Sequence, residues 1–581
     1  MSERTEERGE ATGPGRPDAA GQERDETAPV SRRSVLRTTL TAAAGTLLPS
    51  AIDLNVARTK AEDAIPARTD PAHAAPMTLA AQMTFAGVAA LAEARARAPY
   101  APPPTDLPPE FAALSYDGYQ AIAFRPAESL RLGPLFSAQL FHRGFLQRKR
   151  VDLYLQPRAG GPIPIAYASN LFDLGPGLAG KRFPADLGFA GFRLHAALAS
   201  LTPGVQEEFL VFLGASYFRL RGRGQEYGLS ARGAAIGTGA PEGEEFPDFV
   251  AHWICEPEPG AERLTVLSLL DSPSLSGAFR FVVAPGDPSR LGVTATLHPR
   301  KALTRLGLAP LTSMFLHGQN GPGARGAEGF EDFRPQVHDS DGLVVESAKD
   351  RLWRPLVNGR RQPQISAFAV APLRGFGLLQ RERSFAAYLD VQARHEARPG
   401  LWVEPAAGED VPEGGGFGTG AVQLFEIPSR EEYMDNVVAA FVPSGPVLPG
   451  AALRLAYGLT TVGAEPAPVL PGDRARVVSS RVGSAERLRP TKPPSPERRL
   501  YVVDFEGPGL PANADAAVSA SVSASAGSLV DPVVERVPQT GGWRLYVEWR
   551  PPTPLPPGDA VLRAHLTLEG RVLSETWDAV A

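Results

Sequence analysis

The residues with the chemistry for catalysis are concentrated between Thr312 and Asp435, where polar and aromatic side chains are unusually dense. The run His338-Asp339-Ser340-Asp341-Gly342 places three acid/base groups in one predicted turn, and residues 426–436 are rich in carboxylates. Glycoside hydrolysis needs one carboxylic acid to protonate the leaving oxygen and one carboxylate to activate water. Side chains that could hold a sugar lie between the two segments: Trp353, Arg354, Asp390, Arg394, Arg398 and Trp402.

A second interpretation takes Asp339 and Asp341 as oxygen ligands of a divalent cation, as in metal-dependent sugar transfer. No Gly-rich nucleotide loop supports a transferase, and no Gly-x-Ser-x-Gly turn or phosphate loop is present. A structural interpretation also exists for each segment, in which the Asp residues cap a turn and the Trp residues fill a core. On residue types alone, the structural interpretation is favoured for each segment.

Composition excludes several classes of protein. The 581 residues are 43% hydrophobic, which is enough to build large cores. A formal charge of −5 argues against a nucleic-acid partner. The single Cys255 excludes an intramolecular disulfide and any Cys-cluster metal site, and we expect neither a metal nor a cofactor.

The N-terminal region has the features of an export signal. Paired arginines, Arg32 and Arg33, precede a weakly apolar stretch from Thr38 to Ala51 that is too short to span a membrane comfortably. This pattern predicts a twin-arginine signal in residues 1–51 and a folded protein exported to the periplasm. The cleavage point is undefined, although residues 72–74 have a small-x-small form.

The elements that must position the site are predicted to be strands. Residues 77–98 favour a helix within a linker that covers 52–108, and a Pro-rich run ends it. Short apolar strands between Gly, Pro, Asp and Asn then predict an antiparallel sandwich over 109–464. The predicted strands include Val151–Leu155, Phe209–Leu220, Leu264–Leu270, Phe279–Val283, Leu291–Leu297, Gly342–Val345 and Leu453–Thr461.

A second, smaller sandwich is predicted over residues 475–581, after a Pro-rich linker. The run Trp543-Arg544-Leu545-Tyr546-Val547-Glu548-Trp549 alternates, with both Trp residues on the face of Leu545 and Val547. A block of about a hundred residues of this kind suits one Ig-like sandwich.

These segments together resemble the osmoregulated periplasmic glucan biosynthesis proteins of the MdoG type, from about Tyr116 onward. The twin-arginine pattern resembles the D branch of that family. The segments that carry the resemblance are residues 186–193, 212–219, 227–233, 243–247, 270–274, 310–315, 338–340, 353–356 and 375–380.

The resemblance implies an all-β fold: a large galactose-mutarotase-like β-sandwich that binds glucan, then a small Ig-like (E-set) β-sandwich. It implies an anomer-inverting endo-β-1,2-glucanase, with Asp435 as general acid and Asp339 as general base. Glu431 and Glu432 lie close to Asp435 in sequence, so the resemblance identifies the segment that carries the acid more firmly than the individual residue. An acid of this kind is expected in an apolar or carboxylate-rich pocket that keeps it protonated. The residues with expected sugar-binding roles are His338, Trp353, Arg354, Asp390, Arg394, Arg398 and Trp402.

Some positions depart from the family pattern as we expect it. Asp341 stands where relatives often carry Asn, His395 where Tyr is expected, and Gly400 where Ser is expected. An insertion at about 409–418 lies between the two acids in sequence. The rival hypothesis is a non-catalytic glucan-binding or assembly protein that works with a membrane glucan synthase, and β-1,2-glucan is the expected partner in both cases.

Overall fold

A computed structural model describes residues 81–198, 205–320, 332–358, 362–370, 372–406, 415–463, 474–485, 498–553 and 560–581. The predicted export signal, its cleavage region, the Pro-rich linker and most of the 409–418 insertion lie outside these ranges. The helices are α1 (Phe85–Arg97), α2 (Pro109–Ala112), α3 (Tyr116–Gln120) and α4 (Phe385–Tyr388), with 3-10 turns at Pro126–Glu128, Ser169–Leu171, Ala185–Leu187 and His395–Ala397.

Strands dominate the described residues, which confirms the all-β prediction. In chain order they are β1 (Ala123–Phe124), β2 (Leu130–Leu132), β3 (Phe136–Phe141), β4 (Asp152–Gln156), β5 (Ile163–Pro164), β6 (Phe172–Asp173), β7 (Gly191–Ala196), β8 (Glu207–Leu213), β9 (Tyr217–Leu220), β10 (Ser230–Arg232), β11 (Ala235–Ile236), β12 (Asp248–Cys255), β13 (Leu264–Asp271), β14 (Leu275–Ala284), β15 (Arg290–Pro299), β16 (Leu306–Ser313), β17 (Phe315–His317), β18 (Val337–His338), β19 (Gly342–Ser347), β20 (Arg351–Pro355), β21 (Gln364–Val370), β22 (Leu373–Leu379), β23 (Gly400–Pro405), β24 (Gly420–Glu426), β25 (Val437–Pro443), β26 (Leu453–Val462), β27 (Arg476–Ser484), β28 (Arg499–Glu506), β29 (Ser519–Ala524), β30 (Ser528–Leu529), β31 (Val533–Arg536), β32 (Trp543–Arg550), β33 (Val561–Leu568), β34 (Arg571–Val572) and β35 (Thr576–Val580).

Two large sheets enclose the main core. One has the order β2-β3-β7-β8-β9-β10-β16-β25-β24-β21, and the longer one has the order β29-β33-β35-β20-β19-β22-β23-β26-β15-β14-β13-β12-β4-β5. Phe212 of β8 meets Phe281 of β14 between them, with ring centroids 5.1 Å apart. Along β14, Phe279, Phe281 and Val283 are buried while Arg280 is exposed, which is the alternation of a strand with one covered face.

Helix α1 covers the outer face of the longer sheet, within the 77–98 region predicted to be helical. The Thr84 hydroxyl caps it by accepting from the Gly87 amide at 3.1 Å. Val88 and Ala92 pack against Trp253 and other apolar residues of the sheet. No helix within the described ranges is long and apolar enough to cross a membrane.

One predicted strand is wrong. The segment Phe209–Leu220 forms two strands, β8 and β9, because the chain reverses between them. Gly214 and Ala215 have φ of 77° and 45° there, and this left-handed conformation cannot continue a strand.

The C-terminal region contributes to two sheets. Strands β27, β28, β30, β31 and β32 form a separate sheet, whereas β29, β33 and β35 extend the longer sheet of the main sandwich. The junction is a parallel pairing of β20 with β35, in which Trp353 is opposite Trp577. Trp543, Leu545, Val547 and Trp549 are all buried, so the predicted alternation is confirmed.

Candidate active site

Asp339 lies directly after β18 and is completely buried, with 0% of its surface exposed. Its backbone amide donates to the Met314 carbonyl at 2.9 Å. Its Oδ1 accepts a hydrogen bond from Nη1 of Arg398, and Nδ1 of His395 lies 3.4 Å from the same oxygen. A guanidinium in hydrogen-bonding contact favours the charged carboxylate in this buried setting.

His395 lies between two carboxylates. Its Nε2 is 3.7 Å from Oε1 of Glu432, on the side opposite Asp339. The ring is fully buried, and the Tyr388 ring lies against it with centroids 5.6 Å apart. The backbone is held by Gln380, whose side-chain amide donates to the His395 carbonyl at 2.9 Å. His395 therefore links buried Asp339 to Glu432, whose side chain is 33% exposed.

Beside His395, Arg334 forms ion pairs with three acidic residues. Its guanidinium contacts Asp332 at 2.7 Å, Asp390 at 2.9 Å and Glu432 at 2.9 Å. Burial raises the pKa of Glu432, but hydrogen bonds from His395 and Arg334 outweigh it and lower the pKa to about 2. Asp390 also has a lowered pKa, because the amides of Ala393 and Gln392 and the Arg334 guanidinium outweigh burial. Both carboxyl groups are therefore ionised at neutral pH.

Asp435 lies two residues before β25, at a separate pocket with an empty volume of about 380 Å³ that opens to solvent. The other residues that line it are Gln147, Val211, Leu213, Tyr217, Phe218, Arg219 and Ser230. Of the two surroundings expected for an acid, apolar or carboxylate-rich, the lining residues Val211, Leu213 and Phe218 fit the apolar one, and Asp435 is the only acidic residue among the lining residues. Of its acidic neighbours, Glu432 is committed to Arg334 and His395, and Glu431 is exposed.

One short segment, residues 313–315, connects the two aspartates. Met314 accepts from the Asp339 amide, and the Asn436 side chain, next to Asp435, bonds both the amide and the carbonyl of Phe315 at 2.9 Å. Ser313 donates to the hydroxyl of Ser340 at 2.9 Å. The fold thus brings Asp339 and Asp435 to one region from positions far apart in sequence.

The two expected aromatic platforms are not at this surface. Trp402 is 2% exposed and Trp353 is 4% exposed, and both belong to the apolar cluster that also contains Trp577. A Cβ at Gly342 would lie 2.1 Å from the Trp353 ring, and one at Gly375 would lie 2.2 Å from the Trp402 ring. Stacking on a sugar is therefore the wrong role for both tryptophans, because covering strands and close glycines bury them.

The other residues with expected sugar-binding roles divide into two groups. Arg398 contacts Asp339, Asp390 contacts Arg334, and exposed Arg394 pairs with Glu226 at 2.6 Å. Arg354 and His338 are instead buried and have partners within the protein. Arg354 pairs with Glu426 at 2.9 Å, while the ring nitrogens of His338 face Gln380 and Gln336 at 2.7 and 3.0 Å. Sugar binding by these two side chains is not compatible with this burial.

The cation interpretation does not fit the geometry of Asp339 and Asp341. Asp339 faces Arg398 and His395, whereas the carboxylate of Asp341 accepts from the amides of Arg381 and Glu382 at 2.9–3.0 Å. No cluster of His, Cys, Asp and Glu with the arrangement of a metal site occurs in the part of the chain that the structure describes.

Arg334, Glu432 and His395 were not among the sequence-predicted site residues. Arg334 and Glu432 lie 98 residues apart, and their contact depends on the fold. The sequence signals that pointed to them were the departure from Tyr at position 395 and the position of Glu432 in the carboxylate-rich segment of Asp435.

Comparison with known proteins supplies the family context. The family described as "Periplasmic glucan biosynthesis protein, MdoG" matches residues 83–580. A glucans biosynthesis protein G from Shewanella frigidimarina is 41% identical over 498 residues, covering 84% of this chain and 83% of the relative. The protein of that name from Rhodopseudomonas palustris is 42% identical over 490 residues, covering 84% and 91%. These relatives are G proteins, and the resemblance to the D branch stays a prediction.

Proposed function

We propose, from the premise that this chain belongs to the MdoG family of periplasmic glucan biosynthesis proteins, that it is an anomer-inverting endo-β-1,2-glucanase acting on linear glucan. The observation that carries the proposal is the pairing of two unlike carboxyl groups at one segment. Asp435 borders an open pocket, whereas Asp339 is buried against a guanidinium.

The proposed acid step takes place at Asp435. A carboxylic acid beside an open pocket can reach the glycosidic oxygen of a bound chain and give it a proton as the bond breaks. Tyr217, Arg219 and Ser230 offer hydrogen-bonding groups to sugar hydroxyls in the same pocket. The Ser230 hydroxyl is buried and has no hydrogen-bonding partner among the residues that the structure describes, so a sugar hydroxyl would supply one.

The proposed base step takes place at Asp339. Since Asp339 has no exposed surface, the nucleophilic water would reach it through an intervening hydroxyl or water, not by direct contact. The Ser313–Ser340 hydroxyl pair lies beside it and is suited to this task. Inversion requires that the base act from the side of the sugar opposite the acid, with room for water between them.

A row of buried residues crosses the shorter sheet beside the Asp435 pocket. Gln139, Arg193, Val211 and Arg219 are in register on β3, β7, β8 and β9. Their neighbours Phe192, Phe212 and Phe218 are in the main core, so these four face the opposite side of the sheet. Arg193 donates to Gln139 at 2.7 Å, and the row ends at the Asp435 pocket, which Val211 and Arg219 line. Because all four side chains are buried, this row supports the wall of the pocket and is not itself a surface for a polymer.

A non-catalytic role in glucan binding or assembly, beside a membrane glucan synthase, is the second candidate. The complete burial of Asp339 favours it, because a base closed to solvent is less ready for hydrolysis. The Asp435 pocket would bind glucan equally well in this case. Export by the twin-arginine route to the periplasm is proposed for both candidates, on the arginine pair and apolar stretch of the N-terminal region.

The decisive experiment incubates purified protein with linear β-1,2-glucan and counts new reducing ends, while calorimetry measures binding. We expect reducing ends to increase with time and the first products to be internal fragments with an inverted anomeric centre. Binding without any release of reducing ends would reject the enzyme and leave the assembly role.

A further inference from the structure

His395 has two ring nitrogens but only carboxylates beside them. Within the described residues, neither nitrogen makes a hydrogen bond; Oδ1 of Asp339 faces Nδ1 at 3.4 Å and Oε1 of Glu432 faces Nε2 at 3.7 Å. A neutral imidazole has one N–H and one lone pair, so it can donate to only one of the two carboxylates. The doubly protonated ring donates to both, which makes the imidazolium the form that this geometry accommodates best.

Nearby His338 provides an internal comparison. It is equally buried, but neutral amides of Gln380 and Gln336 face its two nitrogens, and burial lowers its pKa to about 3. His338 therefore stays neutral under working conditions. The two imidazoles lie close together in one part of the fold and differ in the charge of their neighbours.

The charged groups around His395 determine its response to pH. Asp339 and Glu432 face the ring nitrogens, and Asp390 also interacts electrostatically with His395. The basic neighbours are Arg398, which binds Asp339, and Arg334, which binds both Glu432 and Asp390. Tyr388 packs on the ring, and neutral His338 lies behind it. Arg334 also binds Asp332, so the carboxylates outnumber the two arginines. Removal of Glu432 takes away the carboxylate that faces Nε2 and thereby disfavours the imidazolium.

We infer that His395 is a positioning residue that, as an imidazolium, fixes the Asp339 carboxylate together with Arg398 and couples it to Glu432. Both donors meet Oδ1 of Asp339, which sets the plane of the carboxylate. The neutral ring keeps only one of its two contacts, so loss of the His395 proton contributes to the alkaline limb of the pH–rate profile, together with loss of the proton of the acid Asp435. This inference rests on the proposed hydrolase function.

The test uses the variants His395→Gln and Glu432→Gln in the full chain, with linear β-1,2-glucan as substrate. We expect His395→Gln to lower kcat about tenfold or more with little change in KM, because the side chain acts through Asp339 and does not touch the sugar. We expect Glu432→Gln to move the alkaline limb to lower pH, since the imidazolium loses one of its two carboxylates. Glu431→Gln, a change at the exposed neighbour of Glu432, is the matched control and should leave the profile unchanged.

NMR titration of the histidines supplies a readout that is independent of catalysis. The resonance of His395 is identified as the one that disappears from the spectrum of His395→Gln. It should titrate at lower pH in Glu432→Gln than in the wild type. If His395→Gln does not fold, the rate profile and titration of Glu432→Gln decide alone. If the wild type is active and Glu432→Gln changes neither the pH–rate profile nor the titration, only this inference is overturned. If the wild type is inactive, the proposed function fails, and with it the effect of His395 on the rate.

Discussion

The guanidinium of Arg381 lies 3.7 Å above the centre of the Trp353 ring. The same guanidinium donates to Glu575 at 2.6 and 3.1 Å and to the Val477 carbonyl at 2.6 Å. Arg381 begins the loop that carries Asp390, His395 and Arg398, so one side chain attaches the site loop to the C-terminal strands.

Arg381→Ala should destabilise the protein by about 3 kcal/mol or more. It removes a cation–π contact and leaves the buried charge of Glu575 without one of its partners. Urea unfolding followed by tryptophan fluorescence measures the change. Arg550→Ala is the matched control: its ion pair with Glu548 is half exposed, so the expected cost is below about 1 kcal/mol. Equal effects of the two variants would argue against a special role for Arg381.

Asp435→Asn and Asp339→Asn should each lower the release of reducing ends by about a hundredfold to ten-thousandfold, since each removes one half of the acid–base pair. Neither change should unfold the protein, which circular dichroism and the unfolding midpoint will show. Asp339→Asn should be the less stable of the two, because Arg398 loses the buried carboxylate beside it. A variant that keeps the full rate would show that the residue has no catalytic role.

Asp341→Asn should stabilise the protein at high pH. Burial raises the pKa of Asp341 to about 6, more than the amides of Arg381 and Glu382 lower it. Because this pKa lies above the unfolded value, the contribution of Asp341 to stability is fully present below about pH 4 and is lost as pH rises through 6. The amide of Asn imitates the neutral acid and does not ionise.

The advantage of Asp341→Asn over the wild type should therefore grow from pH 4 to pH 8 and reach the order of 2 kcal/mol. Urea unfolding at several pH values measures it. A constant difference across that range would mean that Asp341 does not titrate in the folded protein.

Treatment with EDTA should leave the release of reducing ends unchanged. Asp339 already accepts a hydrogen bond from Arg398, and Asp341 accepts from the backbone amides of Arg381 and Glu382. A shared cation would have to displace these partners. The assay compares rates before and after chelation and dialysis. A large loss that Ca²⁺ or Mg²⁺ restores would revive the cation interpretation.

Local sequence pattern predicted the strands well because alternation depends on one covered face. Trp543 and Trp549 show this directly, since their burial follows from the period of two in their own segment. For Trp353 and Trp402, residue type favoured a core role, which their burial agrees with, and the sugar-binding role expected with the family resemblance was wrong. Nothing in their local sequence indicates that strands from the C-terminal region cover them.

The site was predicted only in part. Asp339 and Asp435 were placed through family resemblance, whereas the contacts around them join residues that are distant in sequence. Arg398 reaches Asp339 across 59 residues, and Arg334 reaches Glu432 across 98. Such pairs are determined by strand order and register, which local pattern does not encode.

The parallel pairing of β20 with β35 has a consequence for biosynthesis. Thr576 donates to Asp350 at 2.9 Å across 226 residues of chain, so the edge of the longer sheet at β20 stays unpaired until both segments have left the ribosome. An open strand edge is a template for association with other chains. A nascent chain stalled before residue 576 would therefore present this edge to chaperones, and truncation ahead of β35 would favour aggregation over a shortened soluble protein.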